Sequence, residues 1–148
     1  MGIFDRFKKN EVDEDGKVTI HKIVNIGFKE KIEKYFKENP EKDESPLELG
    51  DSTDFVPCHM IKDFGTGEGV YLGELYSGVG YELYENKKVE MILRFNENGK
   101  LMSNTSFHKN GQISQIHILK YDENGKHVED GLIVVIYNKS GKILKSNL

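Results

Sequence analysis

Apolar residues fall at Ile20, Ile23, Val24, Phe28, Ile32, Tyr35 and Phe36, three and four apart, while Lys29, Glu30, Glu33, Lys34 and Lys37 fill positions between them. That spacing predicts an amphipathic helix over about 20–38. Asn39-Pro40 ends it, because the residue before a proline is pushed away from the helical region. Gly27 interrupts the pattern and costs up to about 1 kcal/mol relative to Ala in a helix interior. A second assignment therefore stays open, in which Asn25 caps a shorter helix and 17–24 is a strand. The stretch 39–54 is loop-like and acidic. From Phe55 onward the period changes, and most segments alternate or are rich in Val, Ile, Tyr and Phe between Gly or Asn, which is the strand signature.

The turns between those strands repeat. FNENGKL at 95–101, FHKNGQI at 107–113, YDENGKH at 121–127 and YNKSGKI at 137–143 share an aromatic, three polar residues, Gly, a polar residue and a closing residue that is aliphatic in three of them. A three-residue loop with Gly in the left-handed conformation, a type I turn plus G1 bulge, pairs Phe95 with Leu101, Phe107 with Ile113, Tyr121 with His127 and Tyr137 with Ile143. Each aromatic–aliphatic cross-strand pair contributes roughly 0.2–1 kcal/mol. Gly99, Gly111, Gly125 and Gly141 thus serve backbone geometry. Upstream, YENKKV is expected to place Tyr84 opposite Val89 over a two-residue Asn86-Lys87 loop. The result is an antiparallel meander over 55–146.

The predicted architecture is α+β: one N-terminal amphipathic helix packed on a curved antiparallel β-meander of about seven or eight strands. Residues 1–16 are expected as a short amphipathic tail and acidic linker, with a turn at Asp15-Gly16, and 17–148 as a single domain. The expected core is Ile23, Phe28, Ile32, Tyr35, Phe36, Leu93, Phe95, Leu101, Phe107, Leu119, Tyr121, Ile133, Val135 and Tyr137.

Composition narrows the function classes. With 148 residues, 36% of them hydrophobic and 31% charged, the chain suits one globular core. The longest apolar run, LIVVI at 132–136, is far too short for a membrane helix. The N-terminal residues fit neither a secretory signal nor a myristoylation site, and one cysteine, Cys58, fits a reducing compartment; cytoplasm is expected. Net charge is +2 over 1–10, −6 over 11–54 and zero over 55–148. No basic stripe exists for a phosphate backbone, so nucleic acid is not an expected partner. The acidity of Glu11, Asp13, Glu14, Asp15, Glu41, Asp43, Glu44, Asp51 and Asp54 is a candidate contact surface for a basic partner.

Catalytic constellations are weak. Cys58-His59 with Asp54 or Asp63 suggests a thiol nucleophile, but neighbours on a strand point to opposite faces, and a structural cysteine is favoured. His108, His117 and His127 do not converge in the register above and lack metal-ligand spacing. GTGEG at 65–69 lacks the lysine of a phosphate loop and reads as a hairpin turn. No catalytic residue, metal or cofactor is expected.

The stretch NGKHVEDGLIVVIYNKSGKI at 124–143 resembles the bacterial variant of the MORN repeat, and YLGELYSGVGYELYENKK at 71–88 is similar to the commoner form at Tyr71, Gly73, Glu74, Gly78 and Gly80. The likeness covers about 70–146; the hairpins at 95 and 107 lack its Asp-Gly. The resemblance implies a non-enzymatic bacterial antitoxin or immunity protein that neutralises a cognate toxin by covering its active or substrate-binding surface, and the acidity of residues 11–54 would suit a basic nuclease as that toxin. A second reading is a lipid- or carbohydrate-binding β-repeat module at the cell envelope, using Tyr71, Tyr76, Tyr81 and Tyr84. The seven-residue basic tail is too short for stable membrane anchoring.

Overall fold

The computed structural model describes residues 9–49, 53–63, 68–128 and 131–147, the first nine of them as backbone only. Helix α1 spans Lys9–Glu38. Strands β1 (Phe55–Pro57), β2 (Val70–Tyr71), β3 (Glu74–Leu75), β4 (Gly78–Leu83), β5 (Val89–Phe95), β6 (Leu101–Phe107), β7 (Ile113–Ile118), β8 (Ile133–Tyr137) and β9 (Ile143–Ser146) follow, with a 3-10 turn at Cys58–Met60 after β1. Seven strands form one sheet in the order β1-β4-β5-β6-β7-β8-β9, and β2 pairs with β3 as a separate hairpin. The α+β architecture of one helix on a strand meander is therefore observed. It carries one parallel pair, Phe55–Pro57 of β1 against Val79–Tyr81 of β4.

The glycine turns follow the expected register. Phe95 pairs with Leu101, Phe107 with Ile113 and Tyr137 with Ile143, while Tyr121 and His127 form an isolated bridge. In the first of these turns the Gly99 amide donates to Asn96 O at 2.9 Å and the Asn96 amide to Lys100 O at 3.0 Å. Gly99 has φ +74°, a conformation most side chains resist. The Asn96 carboxamide oxygen accepts from the amides of Asn98 and Lys100, and Asp122 and Asn138 repeat the arrangement. The 84–88 turn departs from expectation. Tyr84 donates its amide to Lys88 O and Lys87 donates to Tyr84 O, so Leu83, not Tyr84, pairs with Val89. Lys87 occupies the glycine position with φ +69°. The loop is the same three-residue device with a non-glycine at its strained position.

Helix α1 corrects two expectations. It begins at Lys9, so residues 10–17 are helical backbone and not a turn or linker, and it passes through Asn25 and Gly27. Acidic residues at 11–15 favour the positive end of the helix dipole, which outweighs the Asp15-Gly16 turn signal. Its buried line is Val18, Asn25, Ile32 and Phe36, whereas Ile23 is 67% and Ile20 63% exposed. At about 100° per residue, Ile20 and Ile23 lie nearly opposite Val18 and Phe36. Ile23 is thus not a core residue. The sheet explains the choice: β6 presents buried Ser103 and Thr105 to the helix, and Asn25 fills that polar hollow, its Nδ2 donating to Thr105 Oγ1 at 2.6 Å.

The helix-side core joins Ile32 and Phe36 to Phe55, Val79, Tyr81, Val89, Ile92, Phe107, Ile116, Ile118, Ile133, Val135 and Tyr137, with Phe28 and Tyr35 partly buried at its edge. Glu33 ties the layers together, accepting the Val89 amide at 2.8 Å and Lys29 Nζ at 3.0 Å. The opposite face of the sheet carries a second, smaller cluster of Val56, Cys58, Ile61, Tyr76, Leu93 and Phe95, with Leu101 partly buried against it. Ile61 approaches so closely that a Cβ at Gly80 would lie 2.8 Å from its Cδ1. Leu93 and Phe95 belong to this layer, not to the helix-side core. Leu119 and Tyr121, also expected in the core, are half-buried.

Candidate functional site

The nine acidic residues do not form one surface. Glu11, Asp13, Glu14 and Asp15 sit on the first turns of α1, with side chains outside the described residues, and Asp51 lies outside them altogether. Glu41, Asp43 and Glu44 are exposed on the loop after the last turn of α1. At 1.5 Å per residue the two ends of the helix stand about 40 Å apart. Asp54 is half-buried, and its carbonyl accepts the Val79 amide at 2.9 Å.

The loop carrying Glu41, Asp43 and Glu44 is pinned from both sides. Tyr81, buried under α1, donates its hydroxyl to Ser45 Oγ at 3.0 Å and accepts the Ser45 amide at 2.8 Å. Lys87, at the tip of the 84–88 turn, donates to Lys42 O at 2.8 Å and meets Asp43 Oδ1 at 3.0 Å. The Asp43 side chain remains 94% exposed. The strained Lys87 backbone thus places an ammonium where it orders the acidic loop.

Cys58 lies on the 3-10 turn, not on a strand; it is buried while His59 is exposed. Burial, reinforced by Glu82, pushes its thiol up to about 12, which leaves no nucleophilic thiolate at neutral pH. His108 Nε2 sits 3.0 Å from Tyr137 O, His127 packs edge-on against Tyr121, and His117 pairs with Asn104 and Val134 in mid-sheet. No group of three potential metal ligands occurs among the described residues. Residues 65–67 of the GTGEG stretch lie outside them, although Lys62 and Val70 on its flanks exchange backbone hydrogen bonds.

The tyrosines named for ligand stacking are structural. Tyr76 and Tyr81 are buried; the Tyr76 hydroxyl donates to Val79 O at 2.7 Å and lies 3.0 Å from Asp54 O. Tyr84 donates to Phe107 O at 2.6 Å. Tyr71 packs at right angles on Tyr76, which packs on Phe95.

Sequence reading passed over a cleft of about 260 Å³ lined by Phe28, Asp54, Ser77, Gly78, Arg94 and Met102, among others. Arg94 projects from β5 toward α1, its guanidinium carbon 5.8 Å from the centre of the Phe28 ring and its Nη1 3.4 Å from His21 Nδ1. Burial lowers its pKa. In the sequence Arg94 is one charged position in a strand, and nothing marks it as inward-facing until Ile92 and Leu93 are assigned to opposite layers.

No family model and no curated protein sequence matches the chain. Among solved structures, one similar chain comes from a structure described as the crystal structure of a GtfA/B complex bound to UDP and GlcNAc; the likeness has a TM-score of 0.30 at 14% identity and covers 57% of this chain but 17% of that one. Similarity at that level carries no statement about function. Among the described residues, no helix is long and apolar enough to cross a membrane.

Proposed function

We propose that the protein is a non-enzymatic, cytoplasmic binding protein that neutralises a basic partner protein, in the manner of a bacterial immunity protein or antitoxin acting on a cognate toxin. The observation that supports this reading is the pinned acidic loop: Glu41, Asp43 and Glu44 stand in solvent on a backbone fixed by Tyr81 and Lys87. Charges already held in place lose less conformational freedom on binding than charges on a loose chain. Complementary charge also speeds encounter. The resemblance of 124–143 and 71–88 to MORN-type repeats adds the toxin class of partner. The envelope-module alternative rested on Tyr71, Tyr76, Tyr81 and Tyr84; the hydroxyls of the last three are hydrogen-bonded within the fold, and Tyr71 packs its ring on Tyr76.

The test is co-expression with each product of the neighbouring open reading frames. One of them should arrest growth alone and not in the presence of this chain. The complex should form roughly tenfold more slowly with the E41Q/D43N/E44Q variant, and that difference should shrink as salt is raised. Absence of any rescued neighbour, or a complex indifferent to both salt and the triple variant, overturns the reading.

A further inference from the structure

Arg94 stands out because no described residue balances its charge. A guanidinium offers five N–H donors and stays charged in proteins. Its guanidinium lies against the Phe28 ring face and the His21 ring nitrogen, and among the described residues no carboxylate lies within ion-pairing distance of it. Taking an ion out of water without a counter-charge is unfavourable unless something compensates. A partly buried cation beside a cleft is a candidate anion-binding group. The cleft is also held open by fixed parts. Gly78 in its wall has φ +145°, and a Cβ there would lie 2.8 Å from Asp54 O and 2.8 Å from the Tyr76 hydroxyl, so the wall is tightly packed behind the opening.

The lining selects the ligand chemistry. Phe28 and Met102 are its apolar lining residues, Ser77 and Asp54 its polar ones, and Arg94 its cation. A dianionic phosphate would bring two negative charges to a single guanidinium. A monoanionic carboxylate matches the planar fork of a single arginine and leaves the rest of the molecule for apolar contact. The volume, about 260 Å³, compares with about 30 Å³ for one water in the liquid, so a molecule of several non-hydrogen atoms fits. We propose that this cleft binds a small organic carboxylate, with the carboxylate on the Arg94 guanidinium and an apolar body against Phe28 and Met102. The site is separate from the acidic loop and does not depend on the neutralisation reading.

The test uses benzoate as probe and benzamide as its uncharged counterpart, titrated into the isotope-labelled full chain at constant ionic strength. The backbone amides of Gly78, Val79 and Met102 should shift saturably with benzoate, with an affinity at least tenfold above that for benzamide. Arg94→Met should reduce benzoate to the benzamide level, and Arg94→Lys should retain part of the preference, since an ammonium keeps the charge but not the fork. The melting temperature of the Arg94→Met variant should equal or exceed the parent's, because removal of an uncompensated semi-buried charge relieves a desolvation penalty; a clear fall would make Arg94 a structural residue. Equal binding of benzoate and benzamide, no saturable shift with benzoate, tighter binding of inorganic phosphate, or benzoate binding that survives Arg94→Met overturns the proposal. Should the variant fail to fold, the comparison of the two probes on the parent chain still decides.

Discussion

The two halves of the sheet are built on different principles. Strands β4 and β5 are covered on both sides: Val89 and Ile92 are buried under α1, and Leu93 and Phe95 are buried beneath Val56, Cys58, Ile61 and Tyr76. Strands β6–β8 are covered on one side. There Phe107, Ile116 and Val135 face the helix, while Asn104, His117 and Val134 form a row of half-exposed side chains on the other face. The same hairpin device thus serves a two-layer core and a one-layer core, and the difference lies in what the connecting segments cover. In β5 the run VEMILRF has lost strict alternation because both of its faces are interior.

Alanine substitution along the strands should expose that asymmetry with the largest effects. Ile92→Ala and Leu93→Ala, adjacent in sequence and 0% and 1% exposed, should each cost about 3–4 kcal/mol in urea unfolding, since both leave cavities. In β7, Ile116→Ala should cost a similar amount and its neighbour His117→Ala less than about 0.5 kcal/mol. Comparable losses at His117 and Leu93 would mean that the far face of β7 is covered as well.

An intermediate effect is expected where the helix-side layer is polar. Asn25→Ala strands the Thr105 hydroxyl and Thr105→Val strands the Asn25 amide, so each should cost about 1–3 kcal/mol. The double variant should cost less than the sum, with a coupling of about 1 kcal/mol or more. Strict additivity would show that the 2.6 Å contact does not fix the seating of α1 on β6.

The smallest effect belongs to the second layer. The Cys58 thiol, held at about 12 against an ordinary 9.0, keeps its proton in the folded state while the unfolded chain loses it. The unfolded state therefore binds fewer protons above about pH 9, and stability falls as pH rises, with a limiting slope of about 1.4 kcal/mol per pH unit for one group. Between pH 8 and pH 10 the urea midpoint of Cys58→Ala should decline less than that of the parent. Identical declines would place the alkaline sensitivity on other groups, such as the buried Tyr81, whose hydroxyl is shifted in the same direction.

Much of the sheet was legible from local chemistry. The glycine turns specify their own register, because a residue at positive φ fixes the loop length and hence which aromatic meets which closing residue. The 84–88 turn was misread since Lys87 carries no such mark. The helix could be placed but not rotated: Ile20 and Ile23 satisfy the apolar spacing, yet the hollow over Ser103 and Thr105 accepts Asn25, and that hollow is assembled from strands some 80 residues away. The candidate sites show the same division. Acidity was visible as composition, but its partition between the two ends of α1 and the pinning of 41–44 depend on contacts from Tyr81 and Lys87. The cleft at Arg94 exists only where α1, β4, β5, β6 and the chain before β1 meet.

Strand β9 is exposed at all four residues, and among the described residues no strand pairs on its outer side. It adds a row to the sheet without adding to the buried core, and each hairpin before it is anchored chiefly to its immediate neighbours. The molecule therefore tolerates length change in whole-hairpin steps at this edge. Descendants of such a chain can lengthen or shorten by one turn and one strand there, altering the outline presented to another molecule while the packing of α1 stays as it is.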